Sequence, residues 1–456
     1  MTIPLTQSGK HWIEFNVDTN DIYTFTLTKE FGYELPQNTS EMPIPYKLSS
    51  YDIENNAVGI DFGTTECCAA VIRKSGPDFV VLDDVTRLRT MPSYISFDEE
   101  NEKCGQIVVN RMRHQSKYTV YDIKRIIGKK CEEVIVDSLW PFKVISNEKE
   151  GGSVQIETYT FNGSQELKTP EEIAAVLMKH MKTCLEAYQS KALKSAVITI
   201  PSEFTEAQIK ATAEAAKIAG WESIDFLPEP IAAAFAYFSE INIPNNSIII
   251  ICDCGGGTVD ICIAKVSGNQ IKILSHAGDP HLGGRDFDKL LFNYFAQKLK
   301  NDHNFNVMNS DKRYVLKIKC QDIKHTLSVT NYDFIDVDDF DSEQDGIISI
   351  TREQFEMMAT DLIDRFENVI LETVTNAALE VNQIQYVFQV GGGCRMPMIK
   401  HLLLKIFPAA EHQCNINPEW VVANGAAVYS YHLKNSQSAG GWISTVAKAL
   451  TFFSNK

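Results

Sequence analysis

Long hydrophobic runs are missing from this 456-residue chain: no stretch approaches the ~20 uncharged apolar residues that a membrane-spanning helix needs. Basic residues are also in deficit. Lys and Arg number 43 against 59 Asp and Glu, a net charge of −16, which argues against a nucleic-acid partner because phosphate backbones select basic faces. The opening residues, MTIPLTQSGKHWIEF, lack the basic start and apolar run of a secretory signal. The eleven cysteines form no regular framework, and an odd count without a signal is expected as reduced thiols in a cytoplasmic protein. Cys67, Cys68, Cys252, Cys254 and Cys262 fall in predicted strands. Cys252 and Cys254 share a strand face, but no second pair at ligand spacing accompanies them, so small buried hydrophobes are expected rather than metal ligands.

What is present points to phosphate. Residues 248–266, IIIICDCGGGTVDICIAKV, run four β-branched residues into Asp253, then a triple glycine, then Thr258-Val-Asp260 leading into a second β-branched run. The pattern predicts a hairpin with a glycine turn at its tip. Such a turn lets backbone N–H groups approach and cradle an anion, and a carboxylate on each side suits a hydrated cation. Residues 58–72, VGIDFGTTECCAAVI, repeat the device with Asp61, Gly63 and Thr64. Two such hairpins, about two hundred residues apart, predict a duplicated architecture gripping a polyphosphate from both sides.

Around the hairpins, predicted strands and helices alternate, as in an α/β protein. Helices are predicted at 170–191, with Pro170 in the first turn, at 205–220, with a Thr N-cap and a Gly stop, and at 228–238. Further helices are predicted at 287–302, 314–328 and, as one long amphipathic element, 354–379. Residues 195–200 read as a buried strand stopped by Pro201, and 385–407 as strand, glycine turn and helix. The acidic stretch 332–346 is expected to hold strands and an exposed turn without calcium-loop spacing. Residues 1–56 read as an appendix of short strands and linker.

Several phrases occur in order: GIDFGTT, MPSYISF, YDIKRIIGKK, WPF, VITIPSEF, LPEPIAAAFAY, DCGGGTVDICI, HAGDPHLGGRDFD, QVGGGCRMPMI and NPEWVVANGAAV. From about Ala57 to His432 the chain resembles the nucleotide-binding domain of the seventy-kilodalton heat-shock chaperones. The resemblance implies an α/β, duplicated actin-like ATPase (ribonuclease-H-like) fold, with two lobes around a nucleotide cleft. The expected division is an extension at 1–56, an ATPase domain at 57–433 and a tail at 434–456. Within the domain, lobe I runs over about 57–245 and lobe II over about 246–415, with 416–433 returning to lobe I.

The resemblance also implies roles. Gly63, Thr64 and Thr65 form the first phosphate loop, and Gly255, Gly256, Gly257 and Thr258 the second. Asp61 and Asp253 hold magnesium through its water shell. Lys124, Glu229, Asp253 and Thr258 make up the catalytic set, with Lys124 reaching the phosphates and Glu229 beside metal and water. Gly283 and Gly284 lie by the cleft; Lys324, Ser328, Gly391, Gly392 and Arg395 frame ribose and adenine. ATP or ADP and Mg2+ are the implied ligands. Slow ATP hydrolysis is the implied activity.

The chain departs from the family's pattern at several positions. Glu66 stands where the family has tyrosine, His325 where it has an adenine-stacking arginine, and Gly393 and Cys394 where it has a hydroxyl-bearing turn. Eight residues after Pro201, Ile209 replaces a relay arginine. No leucine-rich acidic linker is read after the last predicted helix, and no peptide-binding domain is expected. The expectation is a regulator or partner of complete chaperones, engaging them, co-chaperones or nucleotide-exchange factors. The alternatives are a nucleotide-sensing pseudo-ATPase scaffold and a small-molecule kinase of the same superfold. Trp442, Ile443, Val446, Ala447, Leu450 and Phe453 have helical spacing. Membrane or partner contact and packing back on the domain both remain open for them, although the single lysine between Gly440 and Phe453 is thin for a membrane surface.

Overall fold

The computed structural model describes residues 11–17, 23–29, 32–34, 41–45, 52, 55–148 and 151–438. The amphipathic pattern at 442–453 lies outside them. Two mixed sheets carry the fold. In the first, strand Val58–Asp61 pairs antiparallel with Glu66–Arg73, which pairs antiparallel with Gly76–Phe79. On its other side Val58–Asp61 runs parallel to Ser195–Ile200, and that strand parallel to Ser223–Pro228. The second sheet repeats this order. Ile248–Cys254 pairs antiparallel with Val259–Ser267, then Gln270–Asp279 follows antiparallel; Tyr386–Val390 and Glu411–Gln413 lie parallel on the other side. The duplication expected from the two hairpins is therefore a property of the whole sheets. The architecture is the duplicated actin-like ATPase fold.

Strands and helices obey local chemistry. Ile249, Ile250 and Ile251 are fully buried, as a strand covered on both faces requires. Cys67, Cys68, Cys252, Cys254 and Cys262 are buried too, behaving as the small hydrophobes expected of them. Helix Pro170–Gln189 starts from a capping box in which Thr169 accepts from Glu172, and Thr205 with Gln208 does the same for helix Glu206–Ile218. The single helix expected over 354–379 is in fact two, Arg352–Met358 and Thr360–Asn376. The break falls at Ala359, whose ψ of 1° leaves the helical region while the Thr360 hydroxyl bonds the Met357 carbonyl. The acidic stretch forms strand Tyr332–Asp336 and a turn, with the return strand at Ile347–Thr351.

Helix Glu229–Glu240 and helix Val421–Ser438 join the two sheets. Val197 and Leu227 of the first sheet, Ile249, Ile251 and Phe388 of the second, and residues of both helices share one apolar cluster. The helices cross very closely. A Cβ on Gly425 would stand 1.6 Å from the Ala232 carbonyl oxygen, so only glycine fits there.

The N-terminal segment is built into both sheets. Residues 11–17 and 23–29 form an antiparallel hairpin. Strand Gly32–Glu34 adds parallel to the outer edge of Ser223–Pro228. Strand Glu41–Pro43 adds antiparallel to Gln270–Asp279, with Met42 only 1% exposed. The appendix thus ties the outer edges of two sheets, a pairing that covers otherwise open edges. Among the described residues, no helix is long and apolar enough to cross a membrane.

Candidate active site

The two hairpin tips meet. Each tip leaves its strand just after an aspartate, Asp61 in one sheet and Asp253 in the other. Gly63 is enclosed by its own turn: a Cβ would lie 1.9 Å from the Glu66 carbonyl oxygen. In the second tip the Gly255 N–H donates to the Thr258 carbonyl at 3.0 Å. Across the gap, a Cβ on Gly256 would strike the Thr65 side chain at 2.1 Å, and one on Gly257 would meet Thr64 at 2.7 Å. The loops that each sequence motif predicted separately thus face one another and share a wall.

They border a cavity of about 470 Å³. Of the residues given catalytic, nucleotide-binding or metal roles from sequence, all but Gly257 and Gly283 line it. Gly283 sits directly behind, where a Cβ would come within 2.7 Å of the Gly257 backbone. The following helix, Gly284–His303, spends its first N–H groups on this loop: Gly284 donates to the Gly255 carbonyl and Arg285 to that of Gly256. A third turn closes one side. Gly391 takes φ 78°, a left-handed conformation natural to glycine, and a Cβ there would lie 2.3 Å from the Cys254 carbonyl oxygen.

The floor is a buried charge cluster. Lys124, on a short turn of 3-10 helix, places Nζ 2.5 Å from Oε1 of Glu229, the first residue of helix Glu229–Glu240. The Thr199 hydroxyl donates to Asp61 at 3.4 Å. Asp260, the carboxylate on the far side of the second turn, belongs to the same cluster although the family resemblance gave it no role. It is 3% exposed, accepts from the Ser202 N–H, and is bonded by the Thr258 side chain. Its signal was legible, because a hairpin turning at 255–258 puts residue 260 directly opposite Asp253.

Electrostatics show what the floor lacks. Burial pushes Asp61 up to about 7, with Glu229 adding repulsion and Lys124 opposing it. Burial and Glu229 likewise raise Asp260 to about 7. Asp253 is held well above the carboxylate range by burial and by Glu229, Asp260 and Asp61. Burial disfavours the Lys124 charge, but Glu229 and Asp61 outweigh it and hold its pKa above the ordinary value. Four carboxyls share one ammonium, and a divalent cation would relieve the repulsion. The oxygen-only donor set suits magnesium, which keeps several waters. Among the described residues no three such side chains converge as direct ligands, so the arrangement fits an ion carried through its water shell.

The opposite end of the cavity is built by helix Lys312–Leu327 and the third turn. Lys324 pairs with Asp288 at 2.7 Å and donates to the Gly284 carbonyl. Ser328 turns its hydroxyl back to the Lys324 carbonyl. Arg395 reaches Glu419 at 3.2 Å and Asn417 at 2.8 Å. Burial and Lys324 lower the His325 pKa, so its ring is neutral at pH 7. Cys394 is buried with its thiol on the Cys252 carbonyl and leaves Gly393 to face the cavity. Asp288 and Glu419 were not anticipated, since they come from a separate helix and a separate loop.

Comparison with known proteins agrees with this geometry. Residues 57–440 match the family model described as Hsp70 protein. The chain is 34% identical over 389 residues to a heat shock 70 kDa protein of Neurospora crassa, covering 84% of this chain and 59% of the relative. It is 32% identical over 390 residues to heat shock cognate 70 kDa protein 3 of Dictyostelium discoideum, covering 84% and 61%. A ribosome-associated molecular chaperone of Eremothecium gossypii is 32% identical over 388 residues, covering 84% and 62%. The chain therefore spans about three fifths of the length of these relatives.

Proposed function

The chain belongs to the Hsp70 family, and from that premise we propose that it binds MgATP and MgADP in the cleft between its two hairpin tips and hydrolyses ATP slowly. One observation carries the reading. Two glycine loops from equivalent strands meet over a floor that pairs Asp61 and Asp253 with the Lys124–Glu229 ion pair.

The residues divide the work as follows. The loops at Gly63–Thr65 and Gly255–Thr258 offer backbone N–H groups to phosphate oxygens. Asp61 and Asp253 hold magnesium through its waters; bound there, the ion neutralises phosphate charge. Lys124 places an ammonium where charge develops during transfer, and Glu229 keeps it aimed. Asp253 or Glu229 orients the attacking water and accepts its proton. Lys324, Ser328, Gly391, Gly392 and Arg395 bound the adenosine end, and Gly283 and Gly284 support the second loop. Lobe I (57–245, with 416–433) and lobe II (246–415) would close on the ligand.

The output we propose is regulation of, or partnership with, complete chaperones through the cleft's open and closed states, with co-chaperones and exchange factors as further partners. The position of the relay arginine is held by Ile209, 9% exposed within the first sheet's apolar cluster, which removes one charged route for passing nucleotide state onward. A second reading, a nucleotide sensor without turnover, is favoured by Glu66, an acidic residue among those lining the cavity.

Calorimetric titration of MgADP and MgATP, followed by single-turnover hydrolysis, separates these. Binding with slow turnover that Lys124→Ala abolishes supports the ATPase; binding without turnover supports the sensor. Absence of binding at millimolar nucleotide would refute both.

A further inference from the structure

The two buried cations lining the cavity already have carboxylate partners, Lys124 with Glu229 and Lys324 with Asp288, and the exposed Arg395 pairs with Glu419. Lys400 is exposed at the rim. Glu66 is an additional acid. It follows directly on the first phosphate loop, and its backbone carbonyl closes the turn against Gly63. Burial and the neighbouring Glu419 carboxylate raise its pKa above the ordinary value, while a hydrogen bond from Thr90 and the charges of Lys324 and Arg285 favour the ionised form. Glu66 thus lines the cavity between the first phosphate loop and the Lys324 and Glu419 end.

We propose that Glu66 is a charge-selective residue of this site: it rejects polyphosphates that arrive without a divalent cation and keeps the affinity for the metal complex low. The proposal rests on the cavity being a nucleotide site. A free nucleoside triphosphate would bring more negative charge to a wall whose cations are already neutralised. Its magnesium complex carries less, and the floor carboxyls attract the ion. The residue therefore acts by repulsion, discriminating between two charge states of one ligand instead of between two bases.

The test is calorimetric titration of ATP and ADP, each with magnesium and with a chelator, into wild type and Glu66→Gln. Glutamine keeps the shape and the bond to Thr90 while removing the charge. The expected result is an affinity gain of about tenfold or more for metal-free ATP, a smaller gain for metal-free ADP, and the smallest for the magnesium complexes. Glu66→Asp, which retains the charge, is expected to keep the wild-type dependence on magnesium. Glu66→Thr removes the charge with a smaller group and serves if the glutamine variant does not fold. Equal affinities in wild type and the uncharged variants, or equal gains with and without magnesium, would overturn the proposal while leaving the nucleotide reading intact. A folded wild type and variant that both fail to bind any nucleotide would overturn the nucleotide reading and the proposal with it.

Discussion

Removing Lys124 tests the floor of the cleft most directly. The ammonium is 6% exposed, 2.5 Å from Glu229, and faces Asp61 and Asp253. Lys124→Ala would leave these carboxyls with no fixed positive charge. Breaking a buried pair on one side costs about 3–5 kcal/mol, because the orphaned charge remains desolvated. For a cooperative unit near four hundred residues, unfolding entropy of about 2 cal/mol/K per residue turns that into a fall in melting temperature of roughly 4–6 °C. Deleting both partners, Lys124→Ala with Glu229→Ala, removes the orphan and should recover part of the loss, giving a coupling of roughly 1–3 kcal/mol in the double-mutant cycle. Saturating MgADP should stabilise the single variant, because the cation partly replaces the ammonium. Single-turnover hydrolysis, if present in wild type, should fall about 10²–10³-fold in Lys124→Ala. Thermal unfolding of the four proteins, with and without MgADP, measures the stability terms. A Lys124→Ala variant as stable as wild type, or additive single effects in the cycle, would refute the view that this pair is a coupled, desolvated unit.

Three further outcomes are expected. Asp61 and Asp260 titrate near 7 when folded but near 4 when unfolded, so the folded state binds the extra protons between about pH 4 and 7. Stability of the ligand-free protein should therefore fall as pH rises through that window, with at most about 4 kcal/mol from each group; melting curves of wild type and Asp260→Asn would show a steeper fall in wild type, and identical slopes would contradict the assignment. Met42→Asp should detach strand Glu41–Pro43, where Met42 is buried and paired with Ile271. The expected loss is about 3 kcal/mol with faster hydrogen exchange in 270–272, and unchanged exchange would refute the edge pairing. Gly425→Ala would drive a Cβ to 1.6 Å from the Ala232 carbonyl and should lower the melting temperature by several degrees; a melt equal to that of wild type would refute the close crossing.

The two glycine hairpin tips were legible because their cause is local. An aspartate ending a β-branched run, followed by glycine and threonine, specifies a tight tip whatever surrounds it. The capped helices at Thr169 and Thr205 were legible for the same reason. Asp260 was legible as the carboxylate across the turn from Asp253, since register across a two-strand hairpin follows from turn length. The break at Ala359 was not, because alanine carries no signal against a helix, and the Thr360 hydroxyl bond to the Met357 carbonyl that accompanies it is one a threonine can also make within a continuous helix.

The sequence alone determined the repeated hairpin, the α/β alternation and the glycine, threonine and aspartate residues at the two tips, since these follow from turn chemistry and side-chain periodicity along short segments. Tertiary structure decided which of them meet. Lys124 finds Glu229 across 105 positions, Gly256 finds Thr65 across the cleft, and the N-terminal strands attach to one sheet each. Such contacts depend on closing long loops and on helices crossing at Gly425 and Ala232, and the cost of ordering those segments is met only when the whole apolar core assembles.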